Sequence, residues 1–146
     1  MNERKHDTYT GGCLCGAVRY AAERFEPEMA HCHCSMCRRF HGAAYATFGR
    51  VRREHFRWLS GEDRLRAYRA DNGTVRRFCA DCGSSLSFAP ANDDGRYVEV
   101  ALGTLDGELE QRPDAHIFIG SKANWVEPCD GLPQYVEDRR GPRADG

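Results

Sequence analysis

The chain has 146 residues, of which 40% are hydrophobic and 29% charged, and its formal net charge is −1. This size suits one domain with a modest core and is short for two. The near-neutral charge gives no electrostatic case for a nucleic-acid or membrane partner, and no apolar stretch is long enough to span a bilayer. The polar, charged segment 1–10 lacks the apolar core of a signal peptide, so we expect a cytoplasmic protein.

Short runs of alternating apolar and polar residues predict strands along the chain, separated by turn residues at short intervals. Asn72-Gly73 predicts a tight hairpin between about 64–70 and 74–79. Helical periodicity is limited to about one turn near 35–40. The other predicted strands include residues 55–59, 85–88, 97–102 and 116–120. We therefore expect a mainly β, mostly antiparallel fold with very little helix, in one domain over 11–136 with tails at 1–10 and 137–146.

Seven of the eight cysteines fall into three tight clusters. In a reducing compartment, clustered cysteines are more often metal ligands than disulfides. The first and third clusters offer two thiolates each, which together make the four ligands of a closed structural zinc site. The middle cluster offers three, which leaves one position open for water or substrate, as in catalytic zinc sites. The clusters are Cys13-Leu-Cys15, Cys32-His-Cys34-Ser-Met-Cys37 and Cys79-Ala-Asp-Cys82-Gly83.

The third cluster has the form of a zinc knuckle between two predicted strands, as in a zinc ribbon. Gly83 permits a positive φ where the chain turns away from the metal. Cys13 and Cys15, two residues apart on a strand, share one face. Two alternatives are that these pairs are simply buried small residues, or that Cys79 and Cys82 form a redox pair. The missing βαβ context argues against the redox pair.

In the middle cluster, Cys32 and Cys34 on an extended run point to one side, and His31 and His33 point to the other. Cys37, which follows after a turn, can return to the same metal. This geometry makes the adjacent histidines poor fourth ligands for a zinc ion held by the three thiolates.

Two features leave the role of the middle cluster open. Cys129 or a histidine could close the coordination and give a second structural site. His33, His41 and His116 are candidates to move a proton beside an open zinc, although each could equally be a structural histidine. Arg38 and Arg39 could bind a substrate carboxylate or only offset thiolate charge.

Several motifs together resemble the glutathione-dependent formaldehyde-activating (GFA) family, which also includes centromere protein V. The resemblance runs from about Gly11 to Tyr135 and includes all seven clustered cysteines in order. The motifs are Gly12-Cys-Leu-Cys-Gly-Ala-Val18, His33-Cys-Ser-Met-Cys-Arg38, Phe78-Cys-Ala-Asp-Cys-Gly83, Val100-Ala-Leu-Gly-Thr-Leu-Asp106, His116-Ile-Phe, Lys122-Ala-Asn-Trp125 and Asp130-Gly-Leu-Pro-Gln-Tyr135.

The resemblance implies a β-tent of twisted antiparallel sheets with two zinc sites. One zinc ion would be held by Cys13, Cys15, Cys79 and Cys82, and the second, near which glutathione binds, by Cys32, Cys34 and Cys37. The family's activity joins glutathione to formaldehyde, a carbon–sulfur lyase reaction in reverse. Arg38, Arg39 and Trp125 are then candidate contacts for glutathione.

A non-catalytic zinc module is the competing interpretation, because β-tent proteins also include binding factors. A basic, disordered extension would favour it, and the tails of this chain are short and mixed in sign. We therefore expect a zinc-dependent enzyme that acts on a small-molecule thiol and aldehyde, with no nucleic-acid or membrane partner.

Overall fold

The computed structural model describes residues 8–144. Of these residues, 39% lie in strands and bridges and 14% in helices, which confirms the predicted mainly β fold. Within the described residues, one α-helix, α1, spans Ser35–His41. Short 3-10 turns span Arg53–His55, Glu62–Arg64, Leu102–Thr104 and Ile119–Ser121. The strands are β1 (Thr8–Gly12), β2 (Arg19–Glu23), β3 (Met29–Cys32), β4 (Ala46–Arg52), β5 (Phe56–Ser60), β6 (Leu65–Arg69), β7 (Val75–Cys79), β8 (Ser85–Ala89), β9 (Tyr97–Ala101) and β10 (Ala115–Ile117).

The chain divides into two compact units, and the first unit contains the described residues 8–27 and 49–110. It holds a three-stranded antiparallel sheet in the order β1-β2-β5 and a run of strands in the order β9-β8-β7-β6. The buried aromatic Tyr20 packs against Phe56 and Trp58, and its hydroxyl lies 2.6 Å from Oγ1 of Thr104. Its polar atom is therefore satisfied inside the apolar core. Other fully buried members of this core are Val18, Val51, Leu86 and Val100.

The hairpin predicted from Asn72-Gly73 is present in the first unit. β6 and β7 pair in antiparallel fashion, with Leu65 opposite Cys79. Gly73 has φ +95°, and Oδ1 of Asn72 accepts a hydrogen bond from the backbone N–H of Thr74 at 3.1 Å. Glycine adopts this conformation without a steric cost, and asparagine caps its own turn, so the dipeptide alone determined the turn.

The second unit contains the described residues 28–48 and 111–144. β3 and β10 pair here in parallel, with His31 opposite His116, an exception to the antiparallel pairing of the first unit. The strand predicted over 116–120 was too long at its C-terminal end. β10 ends at Ile117 because Phe118 has a left-handed conformation (φ +59°), which turns the chain into a 3-10 turn.

Helix α1 confirms the single helical turn predicted near 35–40. Its N-cap is Cys34, whose sulfur accepts a hydrogen bond from the backbone N–H of Cys37 at 3.3 Å. Gly42 ends the helix in a left-handed conformation (φ 61°), and its backbone N–H donates to the carbonyl oxygen of Arg38. The N-cap residue is thus also a member of the middle cysteine cluster.

The two ends of the predicted domain can be compared with the structure only in part. β1 begins at Thr8, within the predicted N-terminal tail, and residues 1–7 lie outside the described residues. Near the other end, the backbone N–H of Ala144 donates to the carbonyl oxygen of Gln134 at 2.8 Å, and residues 145–146 are not described. The single-domain boundaries stay a prediction. No helix in the described part of the chain is long and apolar enough to cross a membrane.

Candidate metal centres

The first unit brings together four cysteine sulfurs from two distant segments. Cys13 and Cys15 follow β1, Cys79 is the last residue of β7, and Cys82 lies in the turn after it. Their ligand atoms all lie within 4.8 Å of one another. The sulfur atom of Cys15 is 3.6 Å from that of Cys13 and 3.9 Å from that of Cys79.

These distances fit a tetrahedral zinc site. With zinc–sulfur bonds of about 2.3 Å, ligands at the corners of a tetrahedron lie about 3.8 Å apart. Backbone N–H groups support the thiolates, since that of Val18 donates to the sulfur of Cys13 at 3.2 Å. Hydrogen bonds from the side chain and backbone of Ser84 lower the pKa of Cys82 to about 5. The donor set therefore suits a closed zinc site with four thiolate ligands.

The second unit holds the three-sulfur cluster. Cys32 is the last residue of β3, Cys34 caps α1, and Cys37 lies in the first turn of the helix. Their sulfurs lie within 4.8 Å of one another. Hydrogen bonds from the thiols of Cys32 and Cys37 hold the pKa of Cys34 well below its ordinary value. The strand end and helix cap place three thiolates within reach of one metal ion.

The fourth position of this cluster has no protein ligand among residues 8–144. No further cysteine, histidine or carboxylate atom there lies within 4.8 Å of all three sulfurs. Cys129, which could have closed the coordination, is exposed and outside the group. Because Cys34 is half-buried while Cys32 and Cys37 are buried, the cluster has one solvent-accessible side chain.

Three histidines of the second unit form a separate group. Their rings contact one another, and Nε2 of His33 lies 2.8 Å from Nδ1 of His116. Both of these side chains are fully buried. Nδ1 of His31 is 2.7 Å from Oγ1 of Thr47. The side-chain alternation on β3 explains why the histidines gather away from the sulfurs of the cluster.

Asp130 is a site residue that the sequence reasoning missed. Its carboxylate oxygens lie 2.9 and 3.2 Å from Nε2 of His116. This hydrogen bond and one from the backbone N–H of Leu132 hold the pKa of Asp130 below its ordinary value. Asp130 lies in one of the motifs that carry the family resemblance, but only the fold shows that it reaches His116.

The remaining candidates lie around α1 and in the segment after β10. His41 ends α1, with its ring packed edge-on against Phe48 at a centroid distance of 5.6 Å. Nε of Arg38 donates to the carbonyl oxygen of Ser121 at 3.2 Å. Arg39 and Trp125 are exposed.

A cavity of about 320 Å³ lies in the first unit and contains no cysteine. Its lining includes the carboxylates of Asp106, Glu108 and Glu110. Glutathione carries a net negative charge, so this acidic lining disfavours it. The cavity is therefore a poor candidate for a glutathione site.

Comparisons with known proteins agree with the motif resemblance. The sequence model of the family described as glutathione-dependent formaldehyde-activating enzyme matches residues 8–121. An uncharacterized lyase of Schizosaccharomyces pombe is 30% identical over 127 residues, which cover 81% of this chain and 90% of the relative. A crystal structure of a Rhodobacter sphaeroides protein is similar with a TM-score of 0.58 and 26% identity, covering 69% of this chain and 91% of that one.

Proposed function

This chain belongs to the glutathione-dependent formaldehyde-activating family, and we propose that it is a zinc-dependent carbon–sulfur lyase that joins a thiol such as glutathione to a small aldehyde. The family match and the lyase name of the S. pombe relative support a lyase-type enzyme. The choice of thiol and aldehyde is our proposal. The eight cysteines are all free thiols, which is consistent with a reducing, cytoplasmic setting.

The observation that carries the proposal is the three-sulfur cluster with no fourth protein ligand among the described residues. Cys32, Cys34 and Cys37 would hold a zinc ion, which in such an open site supplies a Lewis acid for a thiol or a carbonyl oxygen. Cys13, Cys15, Cys79 and Cys82 would hold a closed structural zinc ion that stabilises the first unit.

The reaction adds a thiol S–H across a C=O bond. A carbon–sulfur bond forms, the carbonyl π bond breaks, and the proton moves from sulfur to oxygen, so no other reactant is consumed. A side chain that accepts the first proton and returns it would assist the reaction. We propose His33 and His116 for this role, because they are hydrogen-bonded to each other and connect to the exposed Asp130. His41, at the end of α1, is a further candidate.

Binding of glutathione would require groups for its carboxylates and its peptide backbone. Arg38 and Arg39 follow Cys37 directly on α1 and carry the positive charge for bidentate contacts. Trp125, whose side chain is 72% exposed, offers an uncovered ring for packing. We propose these three residues as glutathione contacts.

The Cys34→Ser variant tests this function, with Cys129→Ser as the matched control. We expect Cys34→Ser to lose one zinc equivalent and all thiol–aldehyde adduct formation while staying folded. Cys129→Ser, altered at an exposed thiol outside the clusters, should keep both metals and full activity. Zinc analysis, glutathione titration and an adduct assay measure these outcomes. Full activity and both metals in Cys34→Ser would overturn the proposal, and two zinc ions without any thiol response would favour a non-catalytic zinc module.

A further inference from the structure

The second unit contains a cluster of potential metal ligands that the two cysteine sites do not use. His31, His116 and Asp130 each offer one ligand atom, and these atoms lie within 4.8 Å of one another. The donors are two imidazole nitrogens and one carboxylate oxygen, a set that binds zinc and other divalent first-row metals. We propose that these three residues form a third metal site, distinct from both sulfur clusters.

The fold explains why the three residues meet. In the parallel pairing of β3 and β10, His116 lies directly opposite His31, and their ring centroids are 4.7 Å apart. The segment that carries Asp130 then returns along β10. The backbone N–H of His116 donates to the carbonyl oxygen of Pro133 at 2.9 Å, and that of Tyr135 donates to the carbonyl oxygen of His116 at 2.9 Å. Two strands and a loop therefore converge on one point.

The second nitrogen of each imidazole already has a hydrogen-bond partner. Nδ1 of His31 can donate to Oγ1 of Thr47 at 2.7 Å, and Nδ1 of His116 can donate to Nε2 of His33 at 2.8 Å. Metal-bound histidines usually have such a partner, which fixes the ring orientation and the tautomer. In both rings this arrangement leaves Nε2 as the metal-binding atom.

The known distances in the cluster fit a small cation. Nε2 of His116 lies 2.9 and 3.2 Å from the two carboxylate oxygens of Asp130. Ligands bound to zinc at about 2.0–2.1 Å in a tetrahedron are about 3.3 Å apart, so a small outward shift of the carboxylate would admit the ion. The side chain of Asp130 is 46% exposed while that of His116 is 2% exposed, so the ion would enter from the carboxylate side.

Metal binding would change the hydrogen bonding of the group. Without metal, Nε2–H of His116 donates to Asp130 and the Nδ1 atom accepts a hydrogen bond from His33. With metal on Nε2, the proton of His116 resides on Nδ1 and the direction of the bond to His33 reverses. The same atom cannot bind metal and relay a proton, so an occupied third site excludes the proton route through His116 proposed above.

The test counts zinc equivalents in the full chain after equilibration with Zn²⁺ and compares Asp130→Asn with Asp138→Asn. Asp138 is an exposed carboxylate of the same unit outside the cluster. We expect the wild-type protein and Asp138→Asn to bind one equivalent more than Asp130→Asn. This difference involves no activity measurement, and it persists whether or not the cysteine sites are filled. Equal stoichiometry in the wild-type protein and both variants would overturn the proposal.

Two further measurements protect the test against misfolding of Asp130→Asn. Thr47→Val keeps the shape of the side chain but removes the partner of His31, and loss of such a partner weakens metal binding about 10- to 100-fold. Imidazole ¹⁵N resonances of the wild-type protein should show Zn²⁺ on Nε2 of His31 and His116. Unchanged affinity in Thr47→Val together with unchanged ring resonances on zinc addition would refute the site.

Discussion

Removing one ligand from the four-sulfur cluster should destabilise the protein much more than removing one from the three-sulfur cluster. The perturbation is Cys79→Ser in the first cluster and Cys34→Ser in the second. The sulfur atoms of Cys15 and Cys79 lie 3.9 Å apart although the residues are 64 positions apart in the sequence. The second cluster connects only residues 32–37. A metal in the first cluster therefore closes a much longer loop.

The difference in stability follows from the entropy of loop closure. A cross-link across 64 residues removes about 4 kcal/mol of chain entropy from the unfolded state at 25 °C, and one across five residues removes about 2 kcal/mol. For a chain of this size the first value corresponds to a fall in Tm of roughly 10–15 °C and the second to roughly half of that. Lost metal–sulfur bonds add to both, so these values are lower bounds.

Thermal and urea unfolding of zinc-loaded protein, with zinc content measured on the same samples, tests this reasoning. Cys129→Ser is the control, and since its side chain is exposed we expect a change within about 0.5 kcal/mol. If Cys79→Ser loses its zinc but melts within about 3 °C of the wild-type protein, the first cluster does not stabilise the fold. If Cys34→Ser is the less stable variant, the loop-closure reasoning is wrong.

Two further predictions concern the first unit. Hydrogen bonds from Arg19 and Thr10 lower the pKa of Asp106 to about 2. Because the pKa is lower in the folded state than in the unfolded state (about 3.9), this carboxylate stabilises the protein above about pH 4 and the contribution is lost toward about pH 2. The stability difference between the wild-type protein and Asp106→Asn should shrink over that range, and a pH-independent difference would contradict the assignment. Gly61→Ala should cost at least about 1–2 kcal/mol in denaturant unfolding, because Gly61 has φ +74° and a Cβ there would overlap the carbonyl group of Ala17. Gly103→Ala, which meets nothing within 4 Å, is its control, and equal stability of the two variants would refute the argument.

Local sequence signals predicted much of the secondary structure because short-range physics determines it. The turn at Asn72-Gly73 and the strands on either side follow from backbone preferences of two residues and from alternation. The single helical turn after Cys34 also appears where it was predicted. The end of β10 was not predictable, because the left-handed conformation of Phe118 has no signal in its residue type.

The sulfur clusters and the histidine group differ in how far the sequence could anticipate them. Cysteine spacing indicates which thiolates can share a metal, since residues two or three apart are held close by the backbone itself. The structure brings those same sulfurs together, although their zinc occupancy stays a prediction. Cys129 shows the limit of such reasoning, because spacing alone could not exclude it from the three-sulfur cluster.

By itself, the sequence determined the mainly β class, the hairpin, the family resemblance and the division of seven cysteines into a set of four and a set of three. Each of these depends on residue type and spacing along a few neighbouring positions. The tertiary structure alone decided that β10 pairs in parallel with β3 and so places His116 opposite His31. It also decided that Asp130 reaches His116. Such contacts depend on strand register and on the path of a loop, which long-range packing selects and no local pattern encodes.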